Sequence, residues 1–316
     1  MASTVTDLNN FDLICISGAE AAQFLQGQLS CNLDKLSAAQ SLWGACCDIK
    51  GRVLSDMQVL QMGADIYLLV QSGMSFSLRK TLDKYIVFSK AKTALVSSSF
   101  ERYGVYGPHA EKTLTDLFGS APEQVGQVVH IEHALAYRLP DAVPRFEVLV
   151  SLENAALIDQ IQDLGVTDDL EEWELADIRQ GIVHIHPETQ ETYTPQLLNY
   201  DLNGVIDFKK GCYTGQEIVA RMHYRGLAKK RLYRGLVKDL RVSTESLILH
   251  KDEIVGEVVS CSRTENGEYE FLAVMPTELV TSGAKLNLHN GSVESGAKNA
   301  PSAAIQILPL PDLEAH

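Results

Sequence analysis

Short apolar runs alternate with amphipathic stretches over the first half of the chain. Residues 13–16 predict a strand, and the following Ser17-Gly18-Ala19-Glu20 has the spacing of a helix capping box, which predicts a helix to about Gln28. Three further strand-like runs are residues 42–48, 53–61 and 66–70. Apolar residues three and four positions apart then predict a helix over 75–86. Its expected buried residues are Phe76, Leu78, Leu82 and Tyr85.

A second segment repeats this order of elements. The predicted elements are a strand at 103–106, a helix that opens at Gly107-Pro108, strands at 128–139 and 146–150, and a helix at about 152–164. The pairs Gly18/Gly107, Ala21/Ala110 and Leu25/Leu114 agree at one spacing, and other pairs agree in kind at another. The repeat indicates either a duplicated ferredoxin-like unit or a chance agreement between α+β elements.

From Arg231 onward the pattern changes to short strands. The predicted strands are residues 231–237, 246–249, 254–260, 269–274 and 285–289. Asn266-Gly267 and Asn290-Gly291 are typical of tight hairpins, whose two central residues need positive φ. We therefore expect an α+β region over residues 1–228, made of two interleaved subdomains, and an antiparallel β-barrel or sandwich over residues 229–316.

The charge balance limits the classes of partner. The 316 residues include 27 basic and 41 acidic side chains, a formal net charge of −14, so phosphate backbones and anionic membranes repel the chain unless its positive charge is concentrated locally. The N-terminus lacks the basic-then-apolar pattern of a secretory signal, and no apolar run reaches the roughly 18 residues of a membrane span. We expect a cytoplasmic protein without a membrane partner.

The six cysteines are too sparse for a disulfide scaffold and contain no Cys-x-x-Cys pair. They are Cys15, Cys31, Cys46, Cys47, Cys212 and Cys261. We expect all but Cys212 to be small buried side chains. His184 and His186 would share one side of a strand, but no third ligand is evident, so no metal site is predicted.

Cys212 is the cysteine with a reason to react. Thr214-Gly215-Gln216-Glu217 has the capping form, which predicts a helix start after Thr214. Cys212 then precedes a helix N-terminus and follows Lys209 and Lys210, and both features favour a thiolate.

The segment around Cys212 is strongly basic. Residues 209–234 contain eight Lys or Arg residues and the single acid Glu217. This charge indicates either a site for a polyanion or a carboxylate ligand, or a solvated helix face that balances acidic neighbours.

The run Lys-Gly-Cys-Tyr-Thr-Gly-Gln-Glu-Ile-Val-Ala-Arg at 210–221 resembles the signature of the YgfZ family, folate-binding proteins related to the aminomethyltransferase (T-protein) of glycine cleavage. Three other segments resemble the family as well. They are Pro195-Gln196-x-x-Asn199, Gly18 with Phe24-Leu25-Gln26-Gly27-Gln28, and the turn Lys50-Gly51-Arg52. Together these motifs cover most of residues 11–234.

The resemblance implies a T-protein-like fold, in which a duplicated ferredoxin-like folate-binding region precedes a β-barrel. It also implies tetrahydrofolate or a derivative as ligand, and an accessory role in the assembly or maintenance of iron–sulfur enzymes, including tRNA-modifying ones. Those enzymes would be client proteins, and transient contact with tRNA or with a tRNA-modifying enzyme follows from the same role.

The resemblance also assigns residues. Cys212 would be the functional cysteine, and Lys210 and Asp56 are the other candidate catalytic residues. Trp173 and Phe11 correspond by position to aromatic residues near the folate, where stacking on a pterin is physically reasonable. The remaining candidate folate contacts are Tyr213, Gln216, Glu217 and Arg221.

One departure bears on the chemistry. The T-protein carries Gly-Gly-x-x-Asp-Asp, whereas this chain has Gly51-Arg52-Val53-Leu54-Ser55-Asp56. Serine is not a comparable base, so aminomethyl transfer would require Asp56 to take over. Folate-dependent one-carbon transfer is the enzyme alternative, and a pure interaction module, whose basic segment docks an acidic partner or tRNA, is a third reading.

Overall fold

A computed structural model describes residues 3–225, 228–290 and 301–311. The chain forms two compact units, each built from several segments. The first comprises Met1–Asp169, His184–Thr192 and Gly204–Gln216, and the second comprises Leu170–Val183, Tyr193–Asn203 and Glu217–His316. The polypeptide thus passes between the units several times. The division into an α+β region over residues 1–228 and a β-barrel over residues 229–316 stays a prediction.

The first unit contains two mainly antiparallel sheets with helices between their strands. Its elements are β1 (Thr4–Asp7), β2 (Phe11–Ser17), α1 (Ala21–Gln26), β3 (Leu42–Cys47), β4 (Val53–Met62), β5 (Asp65–Gln71), α2 (Ser75–Ile86), β6 (Lys92–Leu95), β7 (Phe100–Tyr106), α3 (Ala110–Phe118), β8 (Val128–Ile131), β9 (Ala134–Arg138), β10 (Arg145–Ser151), α4 (Ala155–Gln162) and β11 (Val166–Thr167).

Four strands of each sheet repeat one order, β3-β4-β5-β2 in the first and β8-β9-β10-β7 in the second. The first sheet runs β3-β4-β5-β2-β6, and the second runs β8-β9-β10-β7-β1-β11. The N-terminal strand β1 pairs antiparallel with β7, and the short β11 extends the second sheet by a parallel pairing with β1. Because the order of elements along the chain repeats as well, the structure confirms a duplicated unit.

A buried apolar cluster joins the two sheets. Its residues are Phe11, Leu13, Leu60 and Leu69 from the first sheet, and Val128, Leu135, Tyr137 and Leu149 from the second. Helices α3 and α4 bury Leu114, Phe118, Leu157 and Ile161 in a further cluster with the second sheet. Removal of these apolar side chains from water is the main stabilising contribution to the unit.

Helix α2 begins and ends where the pattern predicted, but its buried face is narrower. Leu78 and Leu82 are fully buried, whereas Phe76 is 79% exposed and Tyr85 is 40% exposed. The expectation that Phe76 and Tyr85 are buried was therefore wrong.

The predicted cap of the first helix was also wrong. Ser17 ends β2, and α1 begins only at Ala21. The carboxylate of Glu20 instead accepts a hydrogen bond of 2.8 Å from the backbone amide of Lys90. Gly18 makes this close approach possible: its φ is +118°, and a Cβ there would lie 2.3 Å from the carbonyl oxygen of Lys90.

The second unit is built on one seven-stranded sheet. Its elements are α5 (Glu171–Gln180), α6 (Gln216–Arg225), β12 (Lys230–Val237), β13 (Leu247–His250), β14 (Glu253–Arg263), β15 (Tyr269–Pro276), α7 (Thr277–Thr281), β16 (Asn287–His289), β17 (Ser302–Ala304) and β18 (Gln306–Leu308). The strand order is β17-β16-β13-β14-β15-β12-β18. Because one residue separates the two outer strands, the sheet nearly closes on itself, which confirms the barrel-like C-terminal region.

The Asn266-Gly267 hairpin lies between β14 and β15 as predicted, but its turn type differs. The amide of Gly267 donates to the carbonyl of Thr264 at 2.8 Å, and only Gly267 of the pair has positive φ, at +80°. The turn is thus a type I turn followed by a left-handed glycine. The other predicted hairpin, Asn290-Gly291, extends outside the described residues. Within the described ranges, no helix has the length and apolar character of a membrane span.

Candidate functional site

The signature segment is anchored first at Lys210. The buried Lys210 ammonium donates to the backbone carbonyls of Gln26, at 2.8 Å, and Leu29, at 2.5 Å, and it lies 5.2 Å from the centre of the Tyr213 ring. Burial lowers the pKa of Lys210 to about 8. The sequence analysis expected this ammonium to stabilise the Cys212 thiolate, but it is bound to backbone carbonyls at the end of α1 and just after it.

A second anchor follows at residues 213–215. Tyr213 is buried, the amide of Thr214 donates to the carbonyl of Gly27 at 3.2 Å, and the Thr214 hydroxyl donates to the Gln28 side chain at 3.3 Å. The Thr214 hydroxyl is thus hydrogen-bonded to Gln28 and does not cap the helix, and α6 begins at Gln216. The expected cap at Thr214 was wrong.

Gly215 explains where α6 begins. Its φ of +82° belongs to the left-handed region, and a Cβ on it would lie 2.4 Å from the backbone oxygen of Asp48. Only glycine therefore fits this close contact between the signature segment and the end of β3.

Gly211 and Cys212 lie between the two anchors and are exposed. Four of the other cysteines are buried, and Cys261 is partly exposed. Burial raises the pKa of Cys31 to about 12 and that of Cys261 to about 11. Cys212 is therefore the one cysteine of the six that is exposed to solvent, and it lies on a short loop with fixed ends.

The turn after β3 also contacts the signature segment. The Asp48 carboxylate accepts hydrogen bonds of 2.8 Å from the amides of Lys50 and Arg52, and Gly51 has a φ of +71°. Gly215 packs against the backbone of Asp48. The signature segment therefore lies close to two other segments, residues 24–28 and the turn at residues 50–52.

A buried carboxylate lies on the same β3–β4 hairpin. Asp56 of β4 accepts a hydrogen bond of 2.7 Å from the amide of Ile185 through one oxygen. Its other oxygen lies 2.8 Å from Nδ1 of His184 and accepts from the indole of Trp43 at 3.3 Å. Both oxygens of Asp56 are thus used within the protein, and the carboxylate holds the His184 ring in place.

Trp43 and His184 are residues that the sequence analysis did not assign to the site. Both are partly exposed, and their ring centres are 6.4 Å apart with a tilt of 52°. Trp43 was visible as one of only two tryptophans, and His184 stood out only as a weak metal candidate. Among the residues that the structure describes, no three His, Cys, Asp or Glu side chains are placed to hold a metal ion.

Known proteins resemble the chain in sequence. Residues 1–134 match the model of the GCVT N-terminal domain. The tRNA-modifying protein YgfZ of Hamiltonella defensa subsp. Acyrthosiphon pisum is 32% identical over 280 residues, which are 86% of this chain and 83% of that protein. The chain belongs to the YgfZ family. The tRNA-modifying protein YgfZ of Vibrio vulnificus strain YJ016 is 33% identical over 288 residues, 87% of this chain and 85% of its own.

A solved structure supports the fold of this YgfZ-family chain. The glycine cleavage system aminomethyltransferase T from Bartonella henselae superposes with a TM-score of 0.79 at 16% identity, over 99% of this chain and 87% of that one. The predicted T-protein-like fold is therefore confirmed.

The serine that distinguishes this YgfZ-family chain from the T-protein pattern is fully buried. The Ser55 hydroxyl donates to the backbone carbonyl of Asp56 at 2.8 Å. Its side chain is therefore used for local structure.

The two aromatic residues assigned by resemblance are both buried. Phe11 lies in the cluster between the two sheets, with the Arg102 guanidinium 6.0 Å from its ring centre. Trp173 lies on α5 in the second unit. Contact of Phe11 and Trp173 with a ligand stays a prediction, and so does contact by the four signature residues Tyr213, Gln216, Glu217 and Arg221. Gln216 accepts a hydrogen bond from the amide of Tyr213 at 3.3 Å, and Glu217 and Arg221 are exposed on α6.

The family segment at 195–199 is structural within the second unit. The Gln196 side chain donates to the carbonyl of Val219 in α6 at 2.8 Å, and the Asn199 side chain donates to the carbonyl of Leu232 in β12 at 2.9 Å. Both polar side chains are buried, so they fix the helix that carries the end of the signature.

Part of the basic segment is neutralised by buried acids. Arg231 forms a two-point ion pair with Asp201, at 2.9 and 3.0 Å, and Arg234 pairs with Glu270. Two of the eight basic residues thus balance acidic neighbours, but they lie on strand β12 and not on the solvated helix face that one interpretation expected.

Proposed function

We propose that this chain binds tetrahydrofolate or a derivative and acts as a cytoplasmic accessory protein for iron–sulfur enzymes, including tRNA-modifying ones, with Cys212 as its reactive group. Membership of the YgfZ family and the T-protein-like fold support the proposal. The relatives described above carry the name tRNA-modifying protein, which supports a role connected with tRNA modification.

The observation that carries the proposal is the exposed thiol on a loop with fixed ends. A cysteine that reacts with a substrate must be reachable and must be held in one place. Cys212 meets both conditions, because Lys210 and residues 213–215 are anchored while Gly211 and Cys212 are exposed.

The β3–β4 hairpin has side chains that fit a flat heterocycle. Trp43 and His184 would hold the pterin, because both rings are partly exposed and Asp56 fixes the orientation of His184. Bound tetrahydrofolate supplies a carrier for one-carbon units. Phe11 and Trp173 stay candidates, although both would have to lose part of their covering to contact a ligand.

The folate part is tested by anaerobic titration with tetrahydrofolate, followed by calorimetry and tryptophan fluorescence. We expect saturable binding and a fluorescence change that Trp43→Phe removes and Trp173→Phe retains. A change lost in Trp173→Phe instead would move the contact to α5. Absence of saturable heat would refute the folate part altogether.

The thiol part is tested by brief alkylation of the folded chain with iodoacetamide, followed by peptide mass spectrometry. We expect Cys212 to be modified at least tenfold faster than the partly exposed Cys261, which serves as the internal control. Equal rates at the two positions would contradict the proposed role of Cys212.

Aminomethyl transfer is less well supported. The Asp56 carboxylate is buried with both oxygens hydrogen-bonded, and Ser55 provides no second carboxylate. Release of formaldehyde equivalents from an aminomethyl donor, abolished by Asp56→Ala in a variant that still folds, would establish this alternative.

A further inference from the structure

Helix α2 and the residues after it expose an unusual number of apolar side chains. Phe76 is 79% exposed, Val87 71% and Phe88 88%, and Tyr85 and Leu95 are also exposed. Single exposed apolar residues need no explanation, but several within 20 residues indicate an interaction surface. We call Phe76, Tyr85, Val87, Phe88 and strand β6 the docking face.

The helix lies beside the edge strand of its own sheet. The Arg79 side chain donates to the Thr93 hydroxyl at 3.1 Å, and that hydroxyl donates to Asp83 at 2.8 Å. Helical spacing places Phe76 and Val87 on the stripe that contains Asp83. Exposed apolar side chains therefore border β6.

Strand β6 has an unpaired edge. It pairs with β2 on one side, and within residues 3–225, 228–290 and 301–311 no strand pairs with its other side. Lys92, Ala94 and Leu95 of this short strand are exposed. An unpaired edge offers backbone amides and carbonyls to an incoming extended segment.

The charge of the docking face identifies the kind of partner. Between residues 75 and 95 there is one acid, Asp83, which pairs with Arg79 at 3.5 Å. The basic residues are Arg79, Lys80, Lys84, Lys90 and Lys92, all exposed. None of the four lysines forms an ion pair with any described residue. In a chain of net charge −14 this local excess attracts an acidic partner, and the same lysines repel a second copy of the face.

We propose that the docking face binds an acidic segment of a partner protein, which adds to β6 as a strand and packs apolar side chains against Val87 and Phe88. One feature favours protein over RNA: an extended peptide pairs with the backbone amides and carbonyls of an unpaired strand edge, whereas RNA makes no use of them. Because the exposed aromatic rings of the docking face can stack on bases, RNA binding is one outcome of the test. The proposal goes beyond the folate-binding function, since it rests on neither Cys212 nor the β3–β4 hairpin.

The test uses the full chain and two labelled 12-residue peptides, one alternating Glu and Val, the other alternating Lys and Val. Fluorescence anisotropy at low salt should show a Kd below about 100 µM for the acidic peptide, in the weak range of such short segments, and no binding of the basic one. Phe88→Ser and the double variant Lys84→Glu/Lys92→Glu should each raise the Kd at least fivefold. Val125→Ser, at a position 57% exposed outside the docking face, should leave it unchanged.

Hydrogen exchange tests the strand addition directly. The acidic peptide should slow exchange of amides in Lys92–Leu95 relative to the free chain, and unchanged exchange there would refute strand addition. Equal affinity for the two peptides, or affinity insensitive to Phe88→Ser, would overturn the docking face itself. Concentration-dependent dimerisation, or tighter binding of single-stranded RNA or anionic vesicles, would also overturn the proposal if Phe88→Ser abolished it.

Discussion

The two copies of the duplicated unit share a strand order but differ in what they leave exposed. In the first sheet β6 lies beside β2 and is the edge strand, whereas in the second sheet β1 takes the equivalent place beside β7 and the short β11 extends the sheet by one more strand. The signature loop and the Asp56 cluster both lie on the first copy, at the β3–β4 hairpin. The comparison teaches that the candidate surfaces for a ligand and for a partner lie on the first copy, whereas two further strands extend the sheet of the second copy beyond β7.

The second copy also contains a network of buried polar side chains. Arg102 and Glu147 form a buried two-point ion pair at 2.7 and 2.9 Å, and the Tyr137 hydroxyl also donates to Glu147. Burial, with the nearby Glu147 carboxylate, raises the pKa of Tyr137 well above its ordinary value. These groups lie on neighbouring strands β7, β9 and β10 and hold the sheet in register.

The largest expected effect comes from breaking that ion pair. Glu147→Leu removes the carboxylate opposite the buried guanidinium, which should lower the free energy of unfolding by about 3–5 kcal/mol. Urea denaturation measures the loss, and the double variant Arg102→Leu/Glu147→Leu should recover most of it. Alkylation of Cys212 in the folded variant should keep its wild-type rate. If Glu147→Leu lowered the free energy of unfolding by less than about 1 kcal/mol, the buried ion pair would not distinguish the second copy from the first.

The next largest effect should come from Gly215→Ala, matched with Gly204→Ala. The two glycines have nearly equal φ, +82° and +84°, but a Cβ at Gly204 meets nothing within 4 Å. Gly215→Ala should therefore cost roughly 1–3 kcal/mol more, because the Asp48 backbone must move. It should also change the alkylation rate of Cys212, and identical behaviour of the two variants would show that the loop is not anchored there.

Lys210→Met should cost about 2 kcal/mol at pH 7, because the carbonyls of Gln26 and Leu29 lose a charged donor. Its pH dependence is a sharper measurement. The pKa of Lys210 is lowered to about 8 in the folded chain, so between pH 8 and the ordinary value of 10.5 the unfolded chain binds more protons. The free energy of unfolding of the wild type should rise with pH through this window relative to Lys210→Met. A constant difference between the two proteins from pH 7 to 10 would contradict the lowered pKa.

The smallest effect on stability should come from Cys212→Ser. The side chain is exposed, so the free energy of unfolding should change by less than about 0.5 kcal/mol. The fast phase of alkylation should disappear completely. A marked loss of stability would instead show that the thiol is packed against the protein.

Much of the element pattern could be read from the sequence because burial imposes a period of two on strands and 3.6 on helices. Helix α2 is predicted to the residue, and the longer strands of both copies are found within a few positions, although residues 128–139 form two strands rather than one. The short strands β1, β6 and β11 were not predicted. The caps at Ser17 and Thr214 failed because a capping side chain can choose a partner elsewhere. Thr214 donates to Gln28, and Glu20 accepts from Lys90. The predicted burial of Phe76 was wrong for a related reason. The spacing of apolar residues along a helix does not show how wide a face of that helix the neighbouring strands cover.

The candidate site shows the same limit. The sequence marked Cys212 as the reactive cysteine, and the structure exposes it. The role of Lys210 differed, because its long side chain reaches two carbonyls that lie 181 and 184 positions earlier in the chain. The charges of neighbouring residues in the sequence cannot predict a hydrogen bond between a lysine and carbonyls so far away in the chain.

By itself, the sequence determined the family, the duplicated α+β architecture with its barrel-like end, and the cysteine at the centre of the signature. The tertiary structure decided which groups work together: Trp43, Asp56 and His184 become one cluster although up to 141 positions separate them. The physical reason is that periodicity and motif spacing report each segment's own preferences. Hydrogen bonds between distant segments form only when the packed sheets bring their ends to one place.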